Sequence, residues 1–524
     1  DDSNDYSPVA ALHKQKIIDA LLEFIRLAVD SNRSTFTKPV LRQESESEDY
    51  VYQSTFTYKK GHQWQGDLKK YQLLKGVPKD DPEWDAAEKL NARSASNRQV
   101  WTIASDFDVT TSLNNFVSGN ADKLKYLLWE NAPTEPTDAQ AQNLINFIRG
   151  VDSYNEVTVA DEKKDKLVSG ERWKLGDIYH SELKVVGAPR ATDDANEGDT
   201  EAYYRYQKNY NNFKNGNRCG GSCPSRKEVV YVGANDGMLH AFDAKTGKEL
   251  WAFIPPGMVK NLPKLSSVKP NTSNSIYGVD GSIMVKDIYF DKNDGKGTRW
   301  YTVLIAGQGR GGQSYFALDI TNPNAPDFLF AFENDIMDKR IYHWDGDGNR
   351  ESLSYVSSIS PEFDYSKIGE AWSVPVILPW PDHVQQTQTW VAAFAAGYNG
   401  GVNSDYGSSI YVIDLEDKGK VLKRIDLTDV SSNIANSVPA SLVSITPDTT
   451  SKAKYKGSML YVADLEGKKW KLNLTNKGTL YEVTPIFDAQ ATVENDRMEF
   501  FQITPTIGSD DNLWGYFRKP ALKR

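Results

Sequence analysis

Asp345, Asp347 and Asn349, with Glu351 two residues on, carry the run of side chains in this sequence with the clearest chemistry. Oxygen-bearing side chains at alternate positions can converge on a hard cation when the chain between them curls tightly, as Gly346 and Gly348 allow. The pattern follows the first half of an EF-hand loop and then departs from it. Arg350 stands where a glycine belongs, Leu353 takes the ninth position, and Val356 replaces the bidentate Glu. Further oxygens could come from Asp335, Asp338, Glu362 or Asp364. The expectation is a Ca2+ site at Asp345, Asp347, Asn349 and Glu351, weakened to ~10⁻⁵ to 10⁻³ M by the missing Glu. The alternative is a plain acidic turn. DKNDGKG at 291–297 is a less complete run of the same kind.

The chain holds 2 cysteines, Cys219 and Cys223, in NRCGGSCPS. Avoidance of cysteine apart from one close pair suggests an exported protein with a small disulfide-closed loop. Two free thiols are the alternative; a zinc site lacks a second Cys or His pair to complete four ligands. GQGRGG (307–312) matches a dinucleotide fingerprint in letters, but a strand-like QSYFALDI follows where a helix would have to face the pyrophosphate, so it reads as a turn. No G-x-S-x-G, H-E-x-x-H or glycine loop ending in G-K-[ST] is present. The 6 histidines are scattered and read as surface or packing residues.

Positioning such residues requires elements, and the composition constrains these. Among 524 residues, 13 Trp, 27 Tyr and 20 Phe are too many aromatics for a disordered chain. A net charge of −10 without a basic stripe argues against nucleic acid as a partner. No apolar run approaches the ~18 residues of a membrane helix, and the longest, 390–398, reads as a buried strand. A helix is expected near the start, capped by Ser7 with Pro8 in its first turn and with Ile17, Leu21, Phe24 and Ile25 on one face. Two more are expected at 82–93 and 138–149. Elsewhere short apolar runs alternate with Gly, Asn, Asp and Pro turns, for example 229–232, 239–242, 300–306, 315–319, 410–415, 459–463 and 470–474. The abrupt opening, DDSNDYSPVAAL, has the look of a piece trimmed from something larger.

A weak internal repeat orders these strands. HAFDAKTGKELWAF (240–253), YFALDITNPNAPDFLFAF (315–332), YVIDLEDKGKVLKRIDL (411–427) and YVADLEGKKWKLNLT (461–475) each place a strand, an Asp, a turn and a second strand in succession. Such a unit is an antiparallel pair whose Asp bonds the turn amides, as in a propeller blade. The fold expected is all-β, a β-propeller with helical insertions near 76–165 and 190–226. It would occupy 51–524 behind an N-terminal helical segment, 1–50.

The segment 229–253 resembles the repeat of quinoprotein propellers, AxDxxTGKxxW, in which Thr246 and Gly247 form the turn and Trp251 docks on the neighbouring blade. More widely, WQGDLKKYQL (64–73), WDAAEKLNARSASNRQVWTI (84–103), INFIRGVDS (145–153), LGDIYHSELKVVG (175–187), VVYVGANDGMLHAFDAKTGKELWAFIPP (229–256), DGSIMVKDIYF (280–290), GQGRGGQSYFALDI (307–320), NSDYGSSIYVIDLEDKGKVLKRIDL (403–427) and LYVADLEGKKWKLNL (460–474) resemble the C-terminal propeller of the PilC/PilY family of type IV pilus proteins, Neisseria-type PilC in particular. The resemblance implies about seven blades and an exported, non-enzymatic protein at the pilus tip, cell surface or outer membrane. It implies support of pilus biogenesis against retraction, host-cell adherence, twitching motility and tuning by calcium. Implied partners are pilin, minor pilins or the secretin, and a host-cell receptor. Two family features do not carry over: before LYVADLEG the stretch 444–458 holds only Asp448 among acidic residues, and in place of an RGD stands Arg149-Gly150-Val151. A calcium-dependent quinoprotein dehydrogenase and a carbohydrate-binding surface propeller are the competing readings.

Overall fold

The computed structural model describes residues 33–516 except 35–36, 38, 44–48, 59–61, 75, 131, 158–163, 197, 217–225, 267–275, 356–359, 382–387, 400–405, 428–436, 448–454, 492–498 and 508–512. The helix expected behind Ser7 and the pair Cys219/Cys223 lie outside the described residues. The chain forms two compact units, Asp1–Val186 with Glu228–Asp280, and Gly187–Lys227 with Gly281–Arg524.

The first unit contains two sheets. One has six strands built around the antiparallel pair Asp49–Thr57 and Gln65–Leu74, in register from Asp49 opposite Leu73 to Thr57 opposite Gln65. Arg33–Ser34 and Val40–Gln43 both pair with the first of these strands, so the described part of 1–50 joins a sheet. The other sheet runs Val100–Thr102, Glu249–Ile254, Leu239–Asp243, Val229–Gly233, Lys184–Val186. Its first strand pairs parallel with the second, whereas the rest are antiparallel. Between 86 and 149, on either side of strand Val100–Thr102, the unit carries the helices Ala86–Asn91, Ala121–Leu128 and Asp138–Arg149. Asp138–Arg149 starts at a capping box between Thr137 and Gln140, ends at Gly150 (φ +120°), and buries Ala141, Leu144, Ile145 and Ile148 along one stripe.

The second unit holds a six-stranded antiparallel meander from Ile283–Phe290 to Arg350–Ser354, two four-stranded meanders (Val376–Pro381 to Val421–Asp426 and Val443–Ile445 to Val483–Asp488), and the hairpin Thr504–Ile507/Leu513–Tyr516. Within the insertion expected near 190–226, Glu201–Gln207 and Tyr210–Lys214 form two short helices, and Tyr210 and Phe213 of the second are buried beside Trp300. Two large rings in a polar stretch found apolar cover, and their spacing of three residues is helical.

Strands deep in each sheet are buried on both faces. VVYVG at 229–233 and SYFALD at 314–319 show no exposed position, while the outer strand 483–488 is mostly exposed. A strand covered on both sides gains from apolar residues at every position, which explains the near-continuous runs in the sequence. Helices are few, and the fold is a β-propeller of the kind the repeat predicts.

The four repeat aspartates all bond turn amides. Asp243 Oδ1 accepts from Lys245 and Thr246 N–H at 3.0 and 2.9 Å, and Asp319 Oδ1 from Thr321 at 2.9 Å. Asp414 Oδ1 accepts from Glu416 at 2.8 Å, and Asp464 Oδ1 from Lys468 at 2.9 Å. Two of these turns also seat a glycine on an aromatic ring. Gly247 (φ +70°) lies on Trp84 so closely that a Cβ would sit 2.7 Å from a ring carbon, and Gly419 (φ +77°) lies equally close on Phe330. Trp251, expected to dock on a neighbouring blade, packs within its own sheet against Tyr231 and Trp101, at centroid distances of 5.8 and 6.2 Å. The added parallel strand supplies Trp101, which the repeat pattern does not include.

Candidate functional site

Asp345 to Asn349 form the connection between the antiparallel strands Arg340–Trp344 and Arg350–Ser354, in which His343 stands opposite Glu351 and Trp344 opposite Arg350. Asp345 is the hub of the turn. Its Oδ1 accepts the N–H groups of Asp347 and Asn349 at 3.1 and 3.0 Å, its own N–H donates to the Asn349 carbonyl at 3.1 Å, and its carbonyl accepts from Gly348 at 2.8 Å. Gly348 adopts φ +83°, which few other residues tolerate. The Asn349 amide lies 3.3 Å from both Asp345 oxygens, and Lys418 Nζ stands 3.2 Å from Oδ2. Burial alone would raise the Asp345 carboxyl, but the hydrogen bonds from Asn349 and the Lys418 ammonium outweigh it and hold the group below the usual carboxylate range.

The structure therefore brings three of the predicted ligands, Asp345, Asp347 and Asn349, onto one turn and leaves Glu351 on the strand that follows, opposite His343. Asp347, Asn349 and Glu351 are exposed, while Asp345 is half-buried and already bonded. Among the described residues no group of three or more His, Cys, Asp or Glu side chains is placed to hold a metal ion. The Asp345 carboxylate, the most enclosed of these donors, faces the Lys418 ammonium and the Asn349 amide. His343, next to this turn, is buried; its Nε2 meets the Lys418 carbonyl at 2.8 Å, and burial lowers its pKa.

A second cluster, in the first unit, has no signature in the sequence. Arg98 donates Nε and Nη2 to the two oxygens of Glu249, at 3.0 and 2.8 Å. Glu249 also meets His240 Nδ1 at 2.9 Å, and His240 Nε2 reaches Asp236 at 3.0 Å. Arg98, His240 and Glu249 are fully buried. Burial opposes a charge on His240, but the Asp236 and Glu249 carboxylates prevail and raise its pKa to about 9. Burial likewise opposes ionisation of Glu249, and Arg98 and His240 overcome it and lower its pKa strongly. Two cations against two anions make the network nearly neutral, and every group is hydrogen-bonded, the condition under which buried charge is tolerated. Its partners lie up to 151 positions apart, so no local spacing announces it. Its chemistry ties strand 239–243 to strand 249–254 and to the segment ahead of Val100.

Asp177 belongs to the same unit. One carboxylate oxygen accepts from Asn235 Nδ2 at 2.7 Å, and burial raises the group to about 7. Nearby, His180 Nδ1 lies 2.5 Å from Asp280 Oδ2. GQGRGG lies between strands Arg299–Gly307 and Ser314–Asp319 and is a turn, with Gly309 at φ +59°. No helix among the described residues is long and apolar enough to cross a membrane.

With this geometry established, comparison with known proteins is informative. The family model described as the PilY1 beta-propeller domain matches residues 175–495. Type IV pilus biogenesis factor PilY1 of Pseudomonas aeruginosa (strain UCBPP-PA14) is 29% identical over 441 residues, 81% of this chain and 31% of that protein. A PilY1 homolog of Xylella fastidiosa is 35% identical over 263 residues, 50% of this chain and 18% of that protein. The chain thus spans less than a third of the length of either relative. Among solved structures, the Pseudomonas aeruginosa PilY1 C-terminal domain is similar at 26% identity over 48% of this chain and 39% of that one, with a TM-score of 0.31. A quinohemoprotein alcohol dehydrogenase of Pseudomonas putida HK5 is similar at 16% identity over 51% of this chain and 36% of that one, with a TM-score of 0.24. The family model covers well over half of the sequence and takes in all four strand-Asp-turn repeats whole and nearly all of the second unit's sheets, and on that ground the chain belongs to the PilC/PilY family, through its PilY1 β-propeller domain.

Proposed function

We propose that this chain is the propeller portion of a type IV pilus biogenesis factor, a non-enzymatic exported protein of the cell surface or pilus. The observation that carries the reading is the family match over 175–495, joined to relatives named as type IV pilus biogenesis factors. The use of the polar side chains supports a binding role: His240, Glu249 and Arg98 are consumed in the core, and the repeat aspartates in turns. Within this reading the protein opposes pilus retraction, contacts pilin, minor pilins or the secretin, and supports adherence to a host-cell receptor and twitching motility. Calcium tuning is proposed on Asp345, Asp347 and Asn349 of one turn with Glu351 of the strand that follows, and it requires Asp345 to leave Lys418 and the Asn349 amides.

The test is deletion of the gene in the bacterium that makes the full-length protein, followed by counting surface pili. Pili are expected to disappear and to return when the retraction ATPase is removed as well. Unchanged piliation and unchanged twitching would overturn the proposal.

A further inference from the structure

A cleft of about 570 Å³ opens in the second unit between the helix Glu201–Gln207, the end of strand Ile283–Phe290 and the turn after strand Ser409–Asp414. That volume lies within the range of small-molecule sites, which combine aromatic surface with a few placed polar groups. Tyr203, Tyr204 and Tyr289 give this cleft its aromatic surface. Tyr203 stacks with Tyr206 at 6.4 Å and 19°, and Tyr206 is 51% exposed, so ring surface continues beyond the cleft. Lys208 Nζ lies 5.9 Å from the Tyr204 ring and 5.5 Å from that of Tyr289, held by both rings. Glu416 is anchored from below, its Oε1 accepting the Trp390 N–H at 2.8 Å.

The charges select among ligands. Asp199, Asp291 and Glu416 oppose Lys208 and Lys456, three carboxylates against two ammonium groups. A phosphate or sulfate would face the carboxylates, and a polycation would face the lysines. A neutral polyhydroxylated ligand meets neither penalty, because each hydroxyl both donates and accepts and can use either sign of partner. Burial raises Glu416 to about 7, so near neutral pH its carboxyl is available in both the donating and the accepting form. The apolar C–H face of a sugar ring suits the electron-rich face of a tyrosine. We infer that this cleft binds one or two residues of a neutral oligosaccharide.

The site lies in the chain's own second unit, so the purified chain tests it without reference to pilus assembly, and its failure leaves the biogenesis reading standing. The probe is a printed array of neutral, sialylated and sulfated glycans, with a set of basic peptides as comparison. Retention of neutral glycans is expected, reduced about tenfold by Tyr203→Ala and by Glu416→Gln, as loss of one stacking or charge-assisted contact gives. Glu416→Gln keeps the oxygen that accepts from Trp390 and so preserves the fold. Tyr126→Ala, on an exposed helix of the first unit, should change nothing. No retention of neutral glycans, retention only of acidic glycans or of basic peptides, or retention unaffected by both cleft variants would overturn the inference.

Discussion

Lys418 places its ammonium 3.2 Å from Asp345 Oδ2, joining the turn after strand Ser409–Asp414 to the turn before strand Arg350–Ser354. The pair is largely solvent-exposed on the lysine side, so its contribution to stability is small, about 0–1 kcal/mol. Its effect on a cation is larger, since the lysine charge occupies the oxygen a calcium ion would need. Calorimetric titration should therefore give weak binding by the native protein, about 10⁻³ M or weaker. Lys418→Ala should bind several-fold more tightly, and Asp345→Ala/Asp347→Ala not at all. Equal heats from all three proteins would remove calcium from this turn.

The seat of Gly247 on Trp84, and of Gly419 on Phe330, predicts the cost of a methyl group. Gly247→Ala and Gly419→Ala combine a left-handed backbone with a Cβ 2.7 Å from a ring carbon, and should each lose about 2–4 kcal/mol. Gly295 has a similar φ of +75° but nothing within 4 Å, so Gly295→Ala should lose only about 1 kcal/mol. Urea midpoints measure the difference. Equal losses at all three positions would mean that the rings do not matter.

His240 makes alkaline pH destabilising. Its folded pKa of about 9 exceeds the ordinary histidine value of 6.5, so the stability it contributes is complete below 6.5 and is lost as pH rises through 9. Asp236 and Glu249 are the carboxylates that face it, and Arg98 stands behind Glu249. His240→Ala leaves Asp236 without its cation and should cost about 3–5 kcal/mol at pH 6, less at pH 9.5. A difference in urea midpoint that stays constant across that range would show that the histidine is neutral in the fold.

Cys219 and Cys223 are proposed to form a disulfide across Gly-Gly-Ser. Thiol titration of non-reduced, denatured protein should find no free thiol. Their reduction should cost little, because so short a loop removes little unfolded-state entropy. Two titratable thiols would refute the pairing.

What the sequence determined by itself was periodic and local. The Asp-turn repeats at Asp243, Asp319, Asp414 and Asp464 encode hairpins, because an aspartate can reach amides two to four residues ahead without help from the rest of the chain. The helix at 138–149 was legible for the same reason: cap, apolar stripe and stop all lie within fourteen positions. The family was legible because many such local units occur in one order. Only the tertiary structure decided the rest. Whether the Asp345 carboxylate faces open solvent or a cation depends on Lys418, which arrives from 73 positions away. Whether His240 carries a charge depends on Glu249 and Asp236 in the absence of water, and Glu249 in turn depends on Arg98. Electrostatic and steric partners are chosen by proximity in space, and the spacing of residues along the chain does not record them.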